Sequence, residues 1–105
     1  MGLPQGFVKA IAARKLPPGA VKEVKVQGKT LALANVDGAL YAIEGHCPHA
    51  GGPLGEGHLR GMDLVCPLHF WAINLTTGTC PRAPTLALDR FELREHEGDL
   101  YVRLG

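Results

Sequence analysis

Apolar and polar residues alternate in short runs along the first half of the chain, and each run ends at residues that favour turns. Alternation with a period of two predicts β-strands. Four such strands are predicted, at residues 7–11, 21–26, 30–36 and 40–43. Asp37-Gly38 is a pair that favours a two-residue hairpin turn between the last two strands. Val21 and Val26 fall on opposite faces of the second strand, so we expect a bulge or a shift of register there.

The second half of the chain shows the same alternation in shorter pieces. The predicted elements are a hairpin at residues 59–60 and 63–65 around Gly61, a strand at 71–75, and two last strands at 89–94 and 100–104. Residues 79–88 contain Pro81 and Pro84 and are predicted to be a loop, because proline cannot donate to a strand ladder. About nine short strands with closely spaced turns, and no helix of three turns, predict an all-β sandwich or barrel.

Length and charge narrow the possible classes of protein. A chain of 105 residues predicts a single domain, residues 1–105, with a core that needs no disulfide staples. The net charge is +1 and no basic run is visible, so nothing supports nucleic-acid binding. Three cysteines are an odd number, which argues against a secreted disulfide framework. Without a signal-peptide pattern or an apolar stretch of about 18 residues, we expect a cytoplasmic protein that does not enter a membrane.

Candidate chemistry is concentrated in two short runs, Cys47-Pro48-His49 and Cys66-Pro67-Leu68-His69. Each run places one thiol and one imidazole on a loop, and a glycine-rich stretch separates them. Two cysteines and two histidines that converge from two loops make a metal site the leading interpretation. A disulfide between the cysteines is an alternative, but it leaves both histidines unexplained. Structural zinc is another, although zinc modules more often combine C-x-x-C with histidines on a helix.

The two runs at this separation, with proline after each cysteine and Gly-Gly-Pro-Leu at residues 51–54, resemble the Rieske family, whose proteins carry a [2Fe–2S] cluster. Residues 66–78 are similar to the second cluster loop of that family, and Pro81 or Pro84 to its third. The resemblance implies a Rieske-like β-sandwich or barrel base with a small inserted cluster-binding subdomain at about residues 45–84. It also implies that the cofactor is bound by four ligands, Cys47, His49, Cys66 and His69.

The resemblance further implies a soluble electron carrier rather than an enzyme. Rieske oxygenases hold their catalytic iron in a separate and much larger domain. The low-potential ferredoxins of the family are the most similar, and they pass electrons from a flavin-dependent reductase to a terminal oxygenase. Two alternatives stay open, namely the small subunit of an assimilatory nitrite reductase and, in a different class, a zinc-stabilised binding module.

The sequence also supports predictions for several residues close to the four candidate ligands. We expect Gly51, Gly52 and Gly55 to let the backbone pass close to the cluster, and Leu54 either to shield it or to be plain core. Cys80 is expected to be a small buried side chain, with a role near the cluster as the alternative. The remaining expectations are that Trp71 packs in the core, that His46 is a neighbour rather than a ligand, and that His58 and His96 face solvent.

The ligand set and the loop residues together predict the reduction potential. Two ferric ions with two sulfides carry two positive charges, which two thiolates neutralise, whereas four thiolates leave a dianion that accepts an electron less readily. High-potential members of the family add a Gly-Ser pair where Phe70-Trp71 stands, and its hydroxyl donor is missing here. Fewer hydrogen bonds to sulfur stabilise the reduced state less, so a redox titration should give roughly −150 to 0 mV. A midpoint above about +150 mV would contradict this expectation.

Overall fold

A computed structural model of the chain describes residues 5–47, 52–68 and 70–104. The described strands are β1 (Phe7–Ala12), β2 (Val21–Val26), β3 (Lys29–Val36), β4 (Ala39–Glu44), β5 (His58–Arg60), β6 (Asp63–Val65), β7 (Ala72–Asn74), β8 (Thr79–Cys80), β9 (Ala83–Ala87), β10 (Arg90–His96) and β11 (Asp99–Arg103). Two single-turn 3₁₀ helices occupy Ala13–Lys15 and Leu54–Glu56. The all-β prediction is therefore confirmed. No helix within the described ranges has the length and apolar character needed to cross a membrane.

Six strands form the base of the molecule, in the order β1-β11-β10-β4-β3-β2. All of the pairings in this sheet are antiparallel. Its two edge strands, β1 and β2, also contact each other, so the sheet curls into a nearly closed barrel. The remaining strands form a three-stranded sheet, β5-β6-β7, and a two-stranded sheet, β8-β9. All five of them lie in the chain between β4 and β10, which are neighbours in the base.

The base sheet is buried on both of its faces at β3 and β4. One face contributes to a core that we call the barrel core, built from Leu16, Val26, Leu31, Leu33, Ala42, Leu93, Leu100 and Val102. The other face contributes to the loop core, built from Ala32, Ala34, Ile43, Cys47, Leu54, Leu64, Cys66, Ile73, Leu75 and Cys80. Successive residues of β3 alternate between the two cores because strand side chains point to opposite faces in turn. The uninterrupted apolar run of β3 follows from this two-sided burial.

The same two-sided burial explains why the expected bulge in β2 is wrong. The ladder between β2 and β3 runs without a break from Val21 opposite Ala34 to Val26 opposite Lys29. Val26 belongs to the barrel core, whereas Val21 packs against the loop core on the opposite face. A regular strand therefore packs both valines against a core, one on each face of the sheet. The register shift of the base sheet lies instead between Lys9 and Ile11 of β1, against β11.

Residues 79–88 are not a loop, so that prediction is also wrong. Strands β8 and β9 pair there, with Thr79 opposite Ala87, and a shift of register precedes Cys80 opposite Ala83. Pro84 lies within β9. It is tolerated because both strands of a two-stranded sheet are edges, where a missing N–H need not break a ladder.

The hairpin predicted at Asp37-Gly38 is confirmed. It joins β3 to β4 with φ values of +52° and +95°, the left-handed pair that a two-residue hairpin turn requires. Asn35, close to this turn, is buried and joins two segments of backbone. Its Oδ1 accepts the Gly38 N–H at 2.8 Å, and its Nδ2 donates to the Leu16 carbonyl at 2.9 Å. The second bond holds Leu16, which is 1% exposed, in the barrel core.

Replacing Asn35 by alanine should therefore lower the free energy of unfolding by about 2 to 3 kcal/mol, because two hydrogen bonds are lost and the Leu16 carbonyl is left without its partner. Urea denaturation of the purified protein measures the change. Thr85→Ala, at an exposed position of β9, is the control and should change the value by less than about 0.5 kcal/mol. Equal effects of the two substitutions would contradict a structural role for the Asn35 amide.

Candidate metal centre

The two cysteines predicted as ligands lie at the ends of strands that enter the same core. Cys47 follows β4 by three residues, and Cys66 comes directly after β6. Their exposed fractions are 2% and 0%, and both belong to the loop core. The fold thus brings together two thiols from loops that are far apart in the chain.

The two histidines predicted as ligands, His49 and His69, lie outside the described residues, as do Pro48, Ala50 and Gly51. Each histidine follows its described cysteine by two or three residues. Across residues 5–47, 52–68 and 70–104, no three His, Cys, Asp or Glu side chains form a group that would hold a metal. The set of four ligands consequently stays a prediction.

The backbone around Cys66 nevertheless fits a metal-bound thiolate. The Leu68 N–H donates to the Cys66 sulfur at 3.4 Å. Gly52 passes so close to that sulfur that an added Cβ would lie 2.8 Å from it. The Gly52 carbonyl in turn accepts the Cys47 N–H at 2.8 Å, which ties the two cysteine loops together. An N–H donor stabilises a thiolate, and the thiolate is the form of cysteine that binds metal.

The position of Cys66 is also held from both sides along the chain. Before it, β5 and β6 pair from His58 opposite Val65, and the chain enters β5 through Gly57. A Cβ at Gly57 would collide with the Val65 carbonyl oxygen. After it, the Cys66 N–H donates to the Trp71 carbonyl at 2.7 Å and closes the loop. Glycine at position 57 is thus a condition for placing Cys66.

The expectations for other loop residues have mixed outcomes. Leu54 is fully buried in the loop core together with Cys47 and Cys66, which fits both the plain-core and the shielding interpretation. Gly55 makes its close contact with Glu23 of β2, where an added Cβ would collide with the backbone, so packing against the base sheet requires glycine there independently of the cluster. Gly52 passes close to sulfur as expected, although the sulfur is that of Cys66. Trp71 is partly buried against the loop core, as predicted.

The described histidines divide into two groups. His58 is exposed, as predicted, and His46 is exposed with its Nδ1 3.4 Å from the Glu44 carboxylate. His96 is predicted to face solvent, but only 27% of its side chain is exposed. Its Nε2 lies 2.9 Å from a Glu97 carboxylate oxygen, and its ring meets Tyr101 edge-on at 6.0 Å between centroids.

Cys80 is 3% exposed and belongs to the loop core, which confirms the prediction of a small buried side chain. Cys66 and Cys80 are free thiols. The disulfide considered as an alternative for Cys47 and Cys66 is accordingly not formed.

Two apolar side chains next to His69 are not singled out by the strand pattern. Leu68 is 45% exposed and Phe70 is 70% exposed, and Phe70 has a φ of +56°. Large apolar residues on both sides of a predicted ligand in a loop, where no core is expected, are the sequence signal that points to them.

Comparison with known proteins gives matches along most of the chain. A family model described as the Rieske [2Fe-2S] domain matches residues 6–92. The ferredoxin CarAc of Metapseudomonas resinovorans is 37% identical over 100 residues, which are 93% of this chain and 94% of that protein. The ferredoxin component of the naphthalene 1,2-dioxygenase system of Pseudomonas aeruginosa is 37% identical over 78 residues, or 74% of this chain and 75% of that protein.

Solved structures agree with these matches. A chain in the complex of reduced oxygenase and oxidized ferredoxin in carbazole 1,9a-dioxygenase is 35% identical, with a TM-score of 0.83 over 95% of this chain and 94% of that chain. The ferredoxin of carbazole 1,9a-dioxygenase from Nocardioides aromaticivorans has a TM-score of 0.84 over 94% of this chain and 98% of that chain. Its identity is 22%, so it shows the fold alone.

Replacing Gly57 by alanine should disturb the site through the Val65 carbonyl. We expect a loss of about 2 to 3 kcal/mol in the free energy of unfolding, as for overpacking elsewhere, together with reduced iron content per chain. Gly61→Ala is the control, because Gly61 has open surroundings and only its φ of +59° disfavours alanine, at about 1 kcal/mol. Denaturation and iron assay of both variants check this, and a smaller effect at Gly57 than at Gly61 would refute the clash.

Proposed function

This chain belongs to the Rieske [2Fe–2S] domain family, and we propose that it carries single electrons from a flavin-dependent reductase to a terminal oxygenase. Its cofactor is a [2Fe–2S] cluster, and the chain is an electron carrier rather than a catalyst. The observation that carries the proposal is the match to a ferredoxin along nearly its whole length, 94% of CarAc at 37% identity. The ferredoxin names of the relatives favour this function over the nitrite reductase subunit and over the zinc module.

We infer that Cys47, His49, Cys66 and His69 hold the cluster, with one pair of ligands from each loop. In Rieske centres two histidines replace two cysteines on one of the two irons. The burial of both described cysteines in one core and the Leu68 N–H on the Cys66 sulfur support this assignment. When bound, the cluster supplies a centre that takes up and releases one electron.

The loop core keeps water from the cysteine side of this site. Leu54, Leu64 and Ile73 are fully buried next to the two thiols. Leu68, by contrast, is half exposed immediately before His69. We therefore assign the histidine side as the route by which electrons enter and leave, because it is the side that a partner protein can approach.

The inserted segment is part of the same proposal. We assign residues 45–84, approximately, to a cluster-binding subdomain within a single domain, residues 1–105. The five strands that lie in the chain between the neighbouring strands β4 and β10 support this division. A cytoplasmic location is also proposed, since Cys80, which is not among the proposed ligands, is a free thiol and suits a reducing compartment.

Ligand substitutions test the assignment. The purified protein should be red-brown and, once reduced, should give the electron paramagnetic resonance signal of a mixed-ligand [2Fe–2S] centre. Cys66→Ser and His69→Ala should lose or alter that signal because each removes an iron ligand. His58→Ala should keep it, because His58 is exposed on β5. The assignment would be refuted if the folded protein contained no iron. It would also be refuted if the His69→Ala variant kept the signal and the His58→Ala variant lost it.

A further inference from the structure

Four non-glycine residues among those described adopt a positive φ, and three of them share one setting. Gln27, Asp37 and Glu97 have φ values of +51°, +52° and +52°. Each precedes a glycine that also has a positive φ, in the turn between two paired strands. These are ordinary two-residue hairpin turns, which require this conformation.

Phe70 is the fourth residue, and no hairpin turn accounts for its φ of +56°. It lies between the Cys66 loop and β7, in backbone closed by the bond from the Cys66 N–H to the Trp71 carbonyl. A left-handed conformation is unfavourable for a bulky side chain. Because 70% of Phe70 is exposed, burial within this chain returns little of that cost. A strained residue that persists without local compensation points to a function.

The position of Phe70 indicates which function. It directly follows His69, and Leu68, which is 45% exposed, directly precedes it. The Leu68 N–H donates to the Cys66 sulfur and so holds the backbone of this loop, and in the sequence one large apolar residue precedes the predicted ligand and another follows it. An acceptor must approach the histidine side to receive an electron, and Phe70 is the next residue along the chain, one peptide bond from that predicted ligand.

We propose that Phe70 is a specificity-determining residue for electron transfer, whose ring enters an apolar recess on the terminal oxygenase. This inference rests on the proposed function. Electron-transfer contacts are small, so a single aromatic anchor contributes a large share of such an interface. The oxygenase is favoured over the reductase because a ferredoxin 35% identical to this chain is seen in a complex with an oxygenase.

The test uses the whole protein with its cluster. The ferredoxin is reduced with dithionite and mixed in a stopped-flow instrument with the oxidised terminal oxygenase of carbazole 1,9a-dioxygenase at increasing concentrations. Phe70→Gly should raise the half-saturating oxygenase concentration about tenfold or more, as loss of an interface anchor does. The electron-transfer rate at saturation should stay within about twofold of the wild-type rate, because the cluster ligands are unchanged. The reduction potential should equal the wild-type value within error for the same reason. Phe70→Leu should recover part of the loss.

Gln27→Gly is the matched control, because it removes the same backbone strain in the turn between β2 and β3. Both glycine variants should keep the cluster spectrum and gain a few degrees in Tm, but only Phe70→Gly should weaken transfer. Unchanged half-saturation in Phe70→Gly overturns the proposal, as does a lowered Tm, which would assign the ring to the stability of this chain. An effect confined to reduction by a flavin-dependent reductase overturns the choice of partner. Failure of the wild-type protein, with a normal spectrum, to transfer electrons either to this oxygenase or to that of the naphthalene 1,2-dioxygenase system overturns the proposed function itself.

Discussion

The backbone contacts of two buried cysteines are the constraint on which the site depends. The Gly52 carbonyl accepts the Cys47 N–H, and the same glycine leaves room for the Cys66 sulfur. The Leu68 N–H donates to that sulfur. These contacts within the chain hold two loops, separated in the sequence, at one place in the structure. A metal centre needs this preorganisation, because thiolates buried without donors or metal would be costly.

Strands β3 and β4 of the base sheet are buried on both faces, and this leaves space for the cysteine loops to pack against the sheet. Leu31 and Leu33 of β3 fill the barrel core, whereas Ala32 and Ala34 face the loop core. Small side chains on the second face let the inserted segment approach the sheet closely, in the way that close-packed interiors require. The 3₁₀ turn at Leu54–Glu56 uses the same space, since Gly55 lies directly against β2. The base is therefore a platform for the loops as well as a core of its own.

An electron carrier must combine a rigid centre with an accessible edge. The cysteine side meets the first requirement through full burial, and the apolar residues next to His69 meet the second through their exposure. Phe70 shares the left-handed conformation of the three hairpin turns, but no hairpin turn requires it at this position. Such conflicts between local preference and the global fold are expected at functional sites, where a stability cost is retained for recognition. The proposed roles of the two sides follow from this division.

Much of the fold is determined by local sequence patterns and can be predicted from them. Alternation defined β2 with its bounds at Val21–Val26, Asp37-Gly38 defined a hairpin, and the spacing of cysteine and histidine defined the family. Tertiary structure alone decided that Val21 and Val26 serve different cores, that β8 and β9 pair despite Pro84, and that Gly55 meets Glu23. The physical reason is range: periodicity and turn chemistry act over a few neighbouring residues, whereas these contacts join residues that only the closed chain brings together.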